Sequence, residues 1–218
     1  MSVSATVHGR DRAGATSVLG QLRLQVPGRH NLLNALATTA VGLELGLTFE
    51  QIASGLSEFR GAERRFEVRG EARGVLVVDD YGHHPTEIAA VLAAAQGLGR
   101  RIVVAFQPHR YTRTQALLDA FGPALAGADR IVLTDIYAAG EDRIPGITIE
   151  ALVERVRAAA TAPVDLVKAI SDLPAALARI AQAGDVVITL GAGSIGGTAE
   201  ALVRILNGES AHAEERVS

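Results

Sequence analysis

Two patterns of apolar and polar positions divide the chain. Residues 2–26 alternate between apolar and polar side chains, with a turn rich in Gly, Asp and Arg near His8–Gly14, and this alternation predicts an antiparallel hairpin. After VPGRHN, the segment NLLNALATTAVGLELG predicts a largely buried helix that ends at Gly46. Thr48 and Gln51 have the spacing of a capping box, which predicts the start of a second helix.

The pattern changes near Phe66, where short strand-like apolar runs begin to alternate with helical patterns. The runs are GVLVVDD, RIVVAF, RIVLTDIY, VDLV and DVVITL, separated by longer segments with helical periodicity. This order predicts an α/β fold with a mostly parallel sheet and helices on both faces. Ligands bind beyond the carboxyl ends of such strands, which points to three polar segments, Asp79–Glu87, Gln107–Thr114 and Asp135–Glu141.

The composition narrows the class of protein. With 218 residues, of which 48% are hydrophobic, the chain can form one large domain, or one domain and a remnant of another. Its net charge of -3 gives no field that would attract the whole chain to nucleic acid or to a membrane surface. Cysteine is absent, which excludes disulfides and thiolate metal sites. No apolar run is long enough to insert across a membrane and no secretory signal is present, so we expect a cytoplasmic protein.

The single lysine, Lys168, bears on nucleotide chemistry. P-loop enzymes place a lysine within G-x-x-x-x-G-K-[ST], where loop amides cradle the phosphates and the ammonium reaches the β- and γ-phosphates. Lys168 lies in VDLVKAI, which has no glycine-rich loop. We therefore expect that this chain does not act as a P-loop enzyme by itself.

The segment DDYGHHPTE, residues 79–87, combines two aspartates at a strand end with a loop that holds Tyr81, His83 and His84. This density of polar and aromatic groups favours a binding site over ordinary helix capping. Asp80 is placed to accept hydrogen bonds from sugar hydroxyls, as acids at such strand ends do. A metal site is a second interpretation, although its spacing matches no standard zinc pattern. Its ligands would be Asp79, His83, His84 and His109.

The segment FQPHRYTRT, residues 106–114, carries Arg110 and Arg113 three residues apart, with His109 beside them. In a helical turn this spacing places both guanidinium groups on one side, where they can bind a carboxylate. Two positive charges at a helix N-terminus oppose the helix dipole, so an anion is expected to compensate them. A solvated basic helix start is the simpler alternative.

Three further segments have weaker signals. In RHNLLN, asparagine amides at the start of a helix can read the edge of a base or simply cap the helix. In ERRFE, Arg65 can contact a phosphate, although the sequence alone favours a surface ion pair. GAGSIG matches the dinucleotide fingerprint at Gly191, Gly193 and Gly196, but no further strand follows it, so tight packing between strand and helix is the better interpretation.

These segments, in this order, resemble the Mur ligase family. PGRHNLLNALA is similar to the H-N-x-x-N helix of the family's central domain, and RRFE is similar to the hinge into its C-terminal domain. DDYGHHPTE and FQPHRYTRT, together with IYAAGE and GAGSIG, are similar to the member that adds L-alanine. The resemblance extends over nearly the whole chain, to about Leu206.

The resemblance implies an ATP-dependent ligase of peptidoglycan precursor synthesis, which joins L-alanine to UDP-N-acetylmuramate through an acyl phosphate and uses Mg²⁺. It implies no catalytic residue and no metal ligand within this chain. The nucleotide-binding residues that it implies are His30, Asn31, Asn34, Arg65 and Asp80. The amino-acid-binding residues that it implies are Tyr81, His83, Arg110 and Arg113, supported by His84 and His109.

The resemblance also implies a division into domains. Residues 1–65 correspond to the end of the central ATP-binding domain, a remnant made of a hairpin and two helices. Residues 66–206 correspond to a Rossmann-like C-terminal ligase domain, and residues 207–218 are predicted to be a disordered tail. The P-loop, the Mg²⁺ ligands and the domain for the UDP sugar would lie outside this chain, so we expect the chain alone to be inactive.

Three other functions stay open at this point. The ligase that recycles murein tripeptide is related, although its two loop motifs are expected to differ. A non-catalytic α/β nucleotide-binding module that only binds a partner is the second. An NAD-dependent oxidoreductase that uses the GAGSIG loop is the third, and protection by NAD(H) but not by ATP would favour it.

Overall fold

The computed structural model describes residues 2–10, 13–26 and 28–209, and at His30 it describes the backbone alone. The chain forms two compact units that divide between Ala62 and Glu63, close to the predicted boundary after Arg65. The tail predicted to be disordered lies outside the described residues from position 210 onward.

The first unit contains a two-stranded antiparallel sheet and two helices, as the sequence predicts. The Thr48–Gln51 capping box is present, because Thr48 Oγ1 accepts from the Gln51 N–H (3.3 Å) and Gln51 Oε1 accepts from the Thr48 N–H (2.9 Å). The elements are β1 (Val3–Arg10), β2 (Thr16–Leu24), α1 (Arg29–Glu44) and α2 (Phe49–Glu58).

Helix α1 is less buried than its sequence predicts. Its buried positions Ala35, Thr39 and Gly42 form one narrow face, whereas Leu33 and Val41 are 54% and 60% exposed. The described part of the first unit offers only a two-stranded sheet and one short helix, which cover one side of α1. The prediction of a largely buried helix is therefore wrong for this unit.

The second unit is a six-stranded sheet with helices on both faces, and the hairpin of its first two strands forms one edge of the sheet. Its strands are β3 (Glu67–Ala72), β4 (Val75–Asp80), β5 (Arg101–Phe106), β6 (Arg130–Leu133), β7 (Val164–Leu166) and β8 (Asp185–Leu190). Its helices are α3 (Pro85–Gln96), α4 (Tyr111–Leu125), α5 (Ile149–Ala159), α6 (Leu173–Ile180) and α7 (Thr198–Leu206).

The strand order is β3-β4-β8-β5-β6-β7, and within the described part of this sheet β3 alone runs antiparallel to its neighbour. β4 and β8 are buried along their whole length, because α3, α4 and α5 cover one face of the sheet and α6 and α7 cover the other. The predicted α/β class with a mostly parallel sheet is confirmed. The sequence pattern does not predict β3, because EVRGEA is polar and lies at the edge of the sheet.

Among the described helices, none combines the length and the apolar character that a membrane crossing requires.

Candidate functional site

The carboxyl ends of β4, β8, β5 and β6 lie side by side at one edge of the sheet, because these strands are parallel neighbours. The segments that follow them are residues 81–84, 191–193, 107–110 and 134–148. Three of these segments carry the polar residues that the sequence singles out. The fold thus brings those segments together at the edge where parallel sheets bind ligands.

Asp80 ends β4 and is 6% exposed. Its Oδ2 accepts a hydrogen bond from the Phe66 N–H and its Oδ1 accepts one from the Gly82 N–H, both at 2.7 Å. Burial raises the pKa of the Asp80 carboxyl, although these two hydrogen bonds favour its ionised form. Asp80 therefore ties the residue before β3 to the loop after β4. Each carboxylate oxygen can accept a second hydrogen bond, so a ribose contact stays a prediction.

A buried ionic network, which the sequence analysis missed, lies beside this carboxylate. Arg64 donates from Nε to Asp79 Oδ2 (2.8 Å) and from Nη2 to the Gly191 carbonyl (2.5 Å). Asp79 is fully buried and accepts a further hydrogen bond from Thr189 Oγ1 (2.7 Å). The Arg64 guanidinium carbon also lies 5.2 Å from the centroid of the Tyr81 ring. The backbone carbonyl of Arg64 accepts a hydrogen bond from the Tyr81 N–H (2.6 Å). Arg64 thereby supports the loop after β4.

Four aromatic side chains form a continuous row across three loops, which we call the aromatic row. The ring centroids are 5.4 Å apart for Tyr81 and His83, 5.8 Å for His83 and His109, and 5.5 Å for His109 and Tyr137. The backbone supports this row, because the Arg110 N–H donates to the Tyr137 carbonyl (2.8 Å). Tyr137 was not among the predicted site residues, although its loop was singled out.

The two imidazoles of the aromatic row face opposite kinds of partner. His83 Nδ1 lies 3.1 Å from the Tyr81 carbonyl, which only accepts, so Nδ1 carries the proton and Nε2 of the neutral ring is an acceptor. His109 Nδ1 lies 3.2 Å from Arg113 Nη1, which only donates, so the neutral ring carries its proton on Nε2. Burial, followed by the positive charge of Arg113, lowers the pKa of His109.

His84 differs from His83 in facing its own helix. His84 Nδ1 accepts the Thr86 N–H (3.3 Å) as the N-cap of α3, and Glu87 accepts the N–H groups of His83 and His84 (both 3.0 Å). Partial burial alone would raise the pKa of Glu87, but these hydrogen bonds and the neighbouring imidazoles lower it. Capping thus accounts for His84, and its supporting role at the site stays a prediction.

Arg110 and Arg113 do not share a helical turn. Arg110 is the N-cap residue with a φ of 73°, and α4 begins only at Tyr111. The prediction that one helical turn carries both guanidinium groups is wrong, because this left-handed residue stands outside the helix. Arg113 nevertheless contacts His109 through Nη1 (3.2 Å from Nδ1), and after burial the positive charges of Arg113 and Arg110 both lower the pKa of His109. The Arg110 side chain is half exposed.

The anion expected at the start of α4 is supplied by the chain itself. Glu141 Oε2 accepts the Thr112 N–H (3.0 Å), and its Oε1 accepts from Thr112 Oγ1 (2.6 Å). These hydrogen bonds lower the pKa of Glu141. The helix dipole therefore does not require an external anion, and the assignment of Arg110 and Arg113 to a substrate carboxylate stays a prediction.

The GAGSIG loop packs tightly against two neighbouring loops. A Cβ atom on Gly191 would lie 2.8 Å from the Gln107 carbonyl oxygen, and one on Gly193 would lie 2.6 Å from both Gln107 Oε1 and Tyr137 Cγ. Gln107 Oε1 also accepts the N–H of Ile195 (3.0 Å). The glycines therefore permit close approach of side chains, as the packing interpretation of this motif requires.

The residues predicted to contact a nucleotide lie in both units. Asn31 and Asn34 belong to the beginning of α1, while the side chain of His30 lies outside the described residues. Arg65 is exposed. Its positive charge lowers the pKa of Asp80, although burial, the larger effect, raises it. The assignment of these residues to a nucleotide stays a prediction.

Within residues 2–10, 13–26 and 28–209, no group of three or more His, Cys, Asp or Glu side chains could hold a metal ion. Asp79 is committed to Arg64 and Thr189, and His84 caps α3. The metal-site interpretation of this loop is therefore wrong. The Mg²⁺ implied by the resemblance has no fitting set of ligands in the described part of the chain.

A separate recess of about 270 Å³ lies beyond the ends of β6 and β7. Lys168 forms an ion pair there with Glu150, and this hydrogen-bonded contact lowers the pKa of Glu150 to about 2. Both side chains are more than half exposed, so the only lysine of the sequence belongs to a surface ion pair.

The chain matches known proteins over most of its length. Residues 64–193 match the family described as Mur ligase, glutamate ligase domain. The UDP-N-acetylmuramate–L-alanine ligase of Trichlorobacter lovleyi is 52% identical over 190 residues, which cover 86% of this chain and 42% of that protein. A ligase of the same name from Gloeobacter violaceus is 54% identical over 179 residues, which cover 82% of this chain and 38% of that protein.

A solved structure agrees with these matches. The UDP-N-acetylmuramate–alanine ligase of Thermotoga maritima superimposes with a TM-score of 0.71 at 26% identity, covering 96% of this chain and 45% of that chain. The chain thus spans less than half the length of the proteins that it resembles.

Proposed function

Because the chain belongs to the Mur ligase family, we propose that it forms the amino-acid-binding part of an ATP-dependent ligase that joins L-alanine to UDP-N-acetylmuramate. The reaction, its substrates and its cytoplasmic location belong to this proposal, since the chain spans less than half of its relatives. So does the correspondence of residues 1–65 and 66–206 with a central and a C-terminal ligase domain. Family membership overturns the oxidoreductase alternative.

The observation that carries this proposal is the aromatic row, in which Arg113 contacts the His109 ring and the charge of Arg110 also acts on it. L-Alanine is a zwitterion with one carboxylate, one ammonium group and a methyl group. Arg110, Arg113 and the Nε2–H of His109 are the donors for the carboxylate. The free Nε2 of His83 is an acceptor for the ammonium group, and the rings of Tyr81 and Tyr137 offer apolar faces to the methyl group.

The nucleotide contacts of His30, Asn31, Asn34, Arg65 and Asp80 that the family suggests are also part of this proposal. ATP, when bound, supplies the phosphoryl group that activates the carboxylate of the muramate. Asp80 keeps the loop of Tyr81 and His83 in place whether or not it also reaches a ribose, because its backbone hydrogen bonds are internal.

Binding of L-alanine to the chain tests the amino-acid site. A ¹⁵N-labelled chain titrated with L-alanine should show saturable chemical-shift changes at His83, His109 and Arg113. L-Alaninamide lacks the carboxylate and should cause much smaller changes at Arg113. An equal response to both ligands, or changes confined to other loops, would contradict the site.

A pair of variants sharpens this test. Arg113→Met removes a carboxylate donor and should weaken L-alanine binding about tenfold or more, as is typical when a charged hydrogen bond is lost. Arg155→Met is the matched control, because Arg155 lies on α5 in an exposed ion pair with Asp119. The control should bind L-alanine as the unmodified chain does.

In a complete ligase that contains this chain, Arg110→Ala should raise the KM for L-alanine far more than the KM for ATP. The guanidinium is assigned to the amino acid and not to the nucleotide, so only one substrate should lose a contact. Equal increases in both KM values would remove the assignment of Arg110.

A further inference from the structure

The motif IYAAGE, residues 136–141, ends in an acidic side chain that the proposed function does not use. The Glu141 N–H donates to the Ala138 carbonyl (3.0 Å), and both central residues of this turn, Ala139 (50°) and Gly140 (83°), have positive φ. Alanine rarely adopts such a conformation, which costs free energy. The turn directs the chain back, so that Glu141 reaches the first residues of α4.

Glu141 is held firmly at that position. Both of its carboxylate oxygens accept hydrogen bonds from Thr112, and its side chain is only 20% exposed. The nearest cation is Arg110, whose Nη1 lies 3.8 Å from Glu141 Oε1. Since its pKa is lowered, Glu141 stays ionised at neutral pH.

Among the arginine and carboxylate side chains whose charges act on His109, one positive charge is in excess. Arg110 and Arg113 contribute two positive charges, and Glu141 offsets one of them. His109 contributes none near neutral pH, because burial and Arg113 lower its pKa. One excess positive charge matches one carboxylate.

We propose that Glu141 determines amino-acid specificity, by balancing Arg110 so that the arginine pair accepts an amino acid with one carboxylate and rejects one with two. The inference rests on the proposed amino-acid site. A second carboxylate beside Arg110 would meet the negative charge of Glu141, and like charges at an interface suppress the wrong partner.

Glu141→Gln tests this proposal, because the amide oxygen can still accept a hydrogen bond from Thr112 while the charge is lost. The measured quantity is the ratio of the dissociation constants of L-aspartate and L-alanine, obtained by NMR titration of the whole chain at low ionic strength. This ratio should fall at least about fivefold in the variant, since charges about 4 Å apart interact appreciably even in water. An unchanged ratio would overturn the proposal.

Two further variants separate charge from helix capping. Thr112→Val removes one hydrogen bond of Glu141 without changing any charge, so the ratio should stay as in the unmodified chain. Arg110→Gln leaves Glu141 unbalanced and should raise the ratio, which keeps the proposal testable if Glu141→Gln does not fold. A ratio that falls in Thr112→Val, or that does not rise in Arg110→Gln, would also overturn it.

The outcomes distinguish this inference from the proposed function. If the unmodified chain shows no response to L-alanine, the amino-acid site itself is wrong and the inference fails with it. If L-alanine binds at His109 and Arg113 and only the ratio fails to respond, the site stands and the role of Glu141 is wrong.

Discussion

His83 and His109 are neighbours in the aromatic row, yet the structure gives their rings different hydrogen-bonding roles. The sequence identifies both residues as candidates, because two histidines and a tyrosine stand beyond a strand end. It does not reveal which nitrogen of each ring is free, since that depends on the Tyr81 carbonyl and on Arg113. Arg64 and Tyr137 escaped prediction for the same reason: their roles arise from contacts with distant segments.

At this scale we predict opposite tautomers for the two rings. Long-range ¹H–¹⁵N spectra of the imidazoles should show neutral His83 protonated at Nδ1 and neutral His109 protonated at Nε2, because one Nδ1 faces an acceptor and the other faces a donor. The same tautomer in both rings would contradict the geometry.

The pKa of His109 should rise when Arg113 is replaced by Met, because a positive charge that opposes protonation is removed. The pKa of the unmodified His109 is lower in the folded chain than the unfolded value of about 6.5. Its contribution to the free energy of unfolding is therefore fully present above that value and is lost as the pH falls from there through the folded pKa. A pH titration of the His109 ring signals measures both effects. Arg155→Met should leave the His109 titration unchanged.

Asp80→Asn should destabilise the chain by about 1–3 kcal/mol, because the amide NH₂ replaces an acceptor and leaves one buried backbone N–H, that of Phe66 or Gly82, without a partner. Urea unfolding at neutral pH measures this loss. Asp165→Asn is the comparison, since Asp165 pairs with Arg130 at the surface and its loss should cost less than about 1 kcal/mol. Equal losses in both variants would contradict the role of Asp80.

At the scale of secondary structure, the elements with strong local signals were predictable. The capping box at Thr48 and the apolar runs of the parallel strands appear where the sequence places them. Three features were not predictable, because each depends on neighbouring elements. They are the exposed face of α1, the polar edge strand β3 and the left-handed conformation of Arg110 before α4.

The GAGSIG loop allows a matched pair of glycine substitutions. Gly193→Ala should destabilise the chain by about 1–3 kcal/mol, because the added methyl group would overlap Gln107 and Tyr137. Gly197→Ala adds its methyl group in open space and should change stability by no more than about 1 kcal/mol. Thermal unfolding followed by circular dichroism compares the two. Similar losses in both variants would show that close packing does not explain Gly193.

At the scale of the whole molecule, the sequence indicates two regimes and the structure shows two units that divide between Ala62 and Glu63. In the described ranges 2–10, 13–26 and 28–209, each unit has a hydrophobic core of its own, with one cluster in the first unit and two clusters, one on each face of the sheet, in the second. The two regimes were visible because the hydrophobic period changes near Phe66. The strand order was not visible, since the apolar runs carry no information on their neighbours.

The 218-residue chain alone should not hydrolyse ATP or form UDP-N-acetylmuramoyl-L-alanine. Its sequence contains no P-loop, and its only lysine is paired with Glu150. Phosphate release with ATP, Mg²⁺, L-alanine and UDP-N-acetylmuramate measures this. Turnover above the protein-free background, in a preparation free of host ligase, would refute the prediction.

The central place of β8 in the sheet has a consequence for synthesis of the protein. β4 and β5 do not pair with each other, and each pairs with β8, which begins only at Asp185. While the chain is being translated, the two edges that β8 will occupy stay open until β8 itself has left the ribosome. A stop codon before Asp185 would therefore leave two apolar strands without their shared partner, and such a product should aggregate rather than fold.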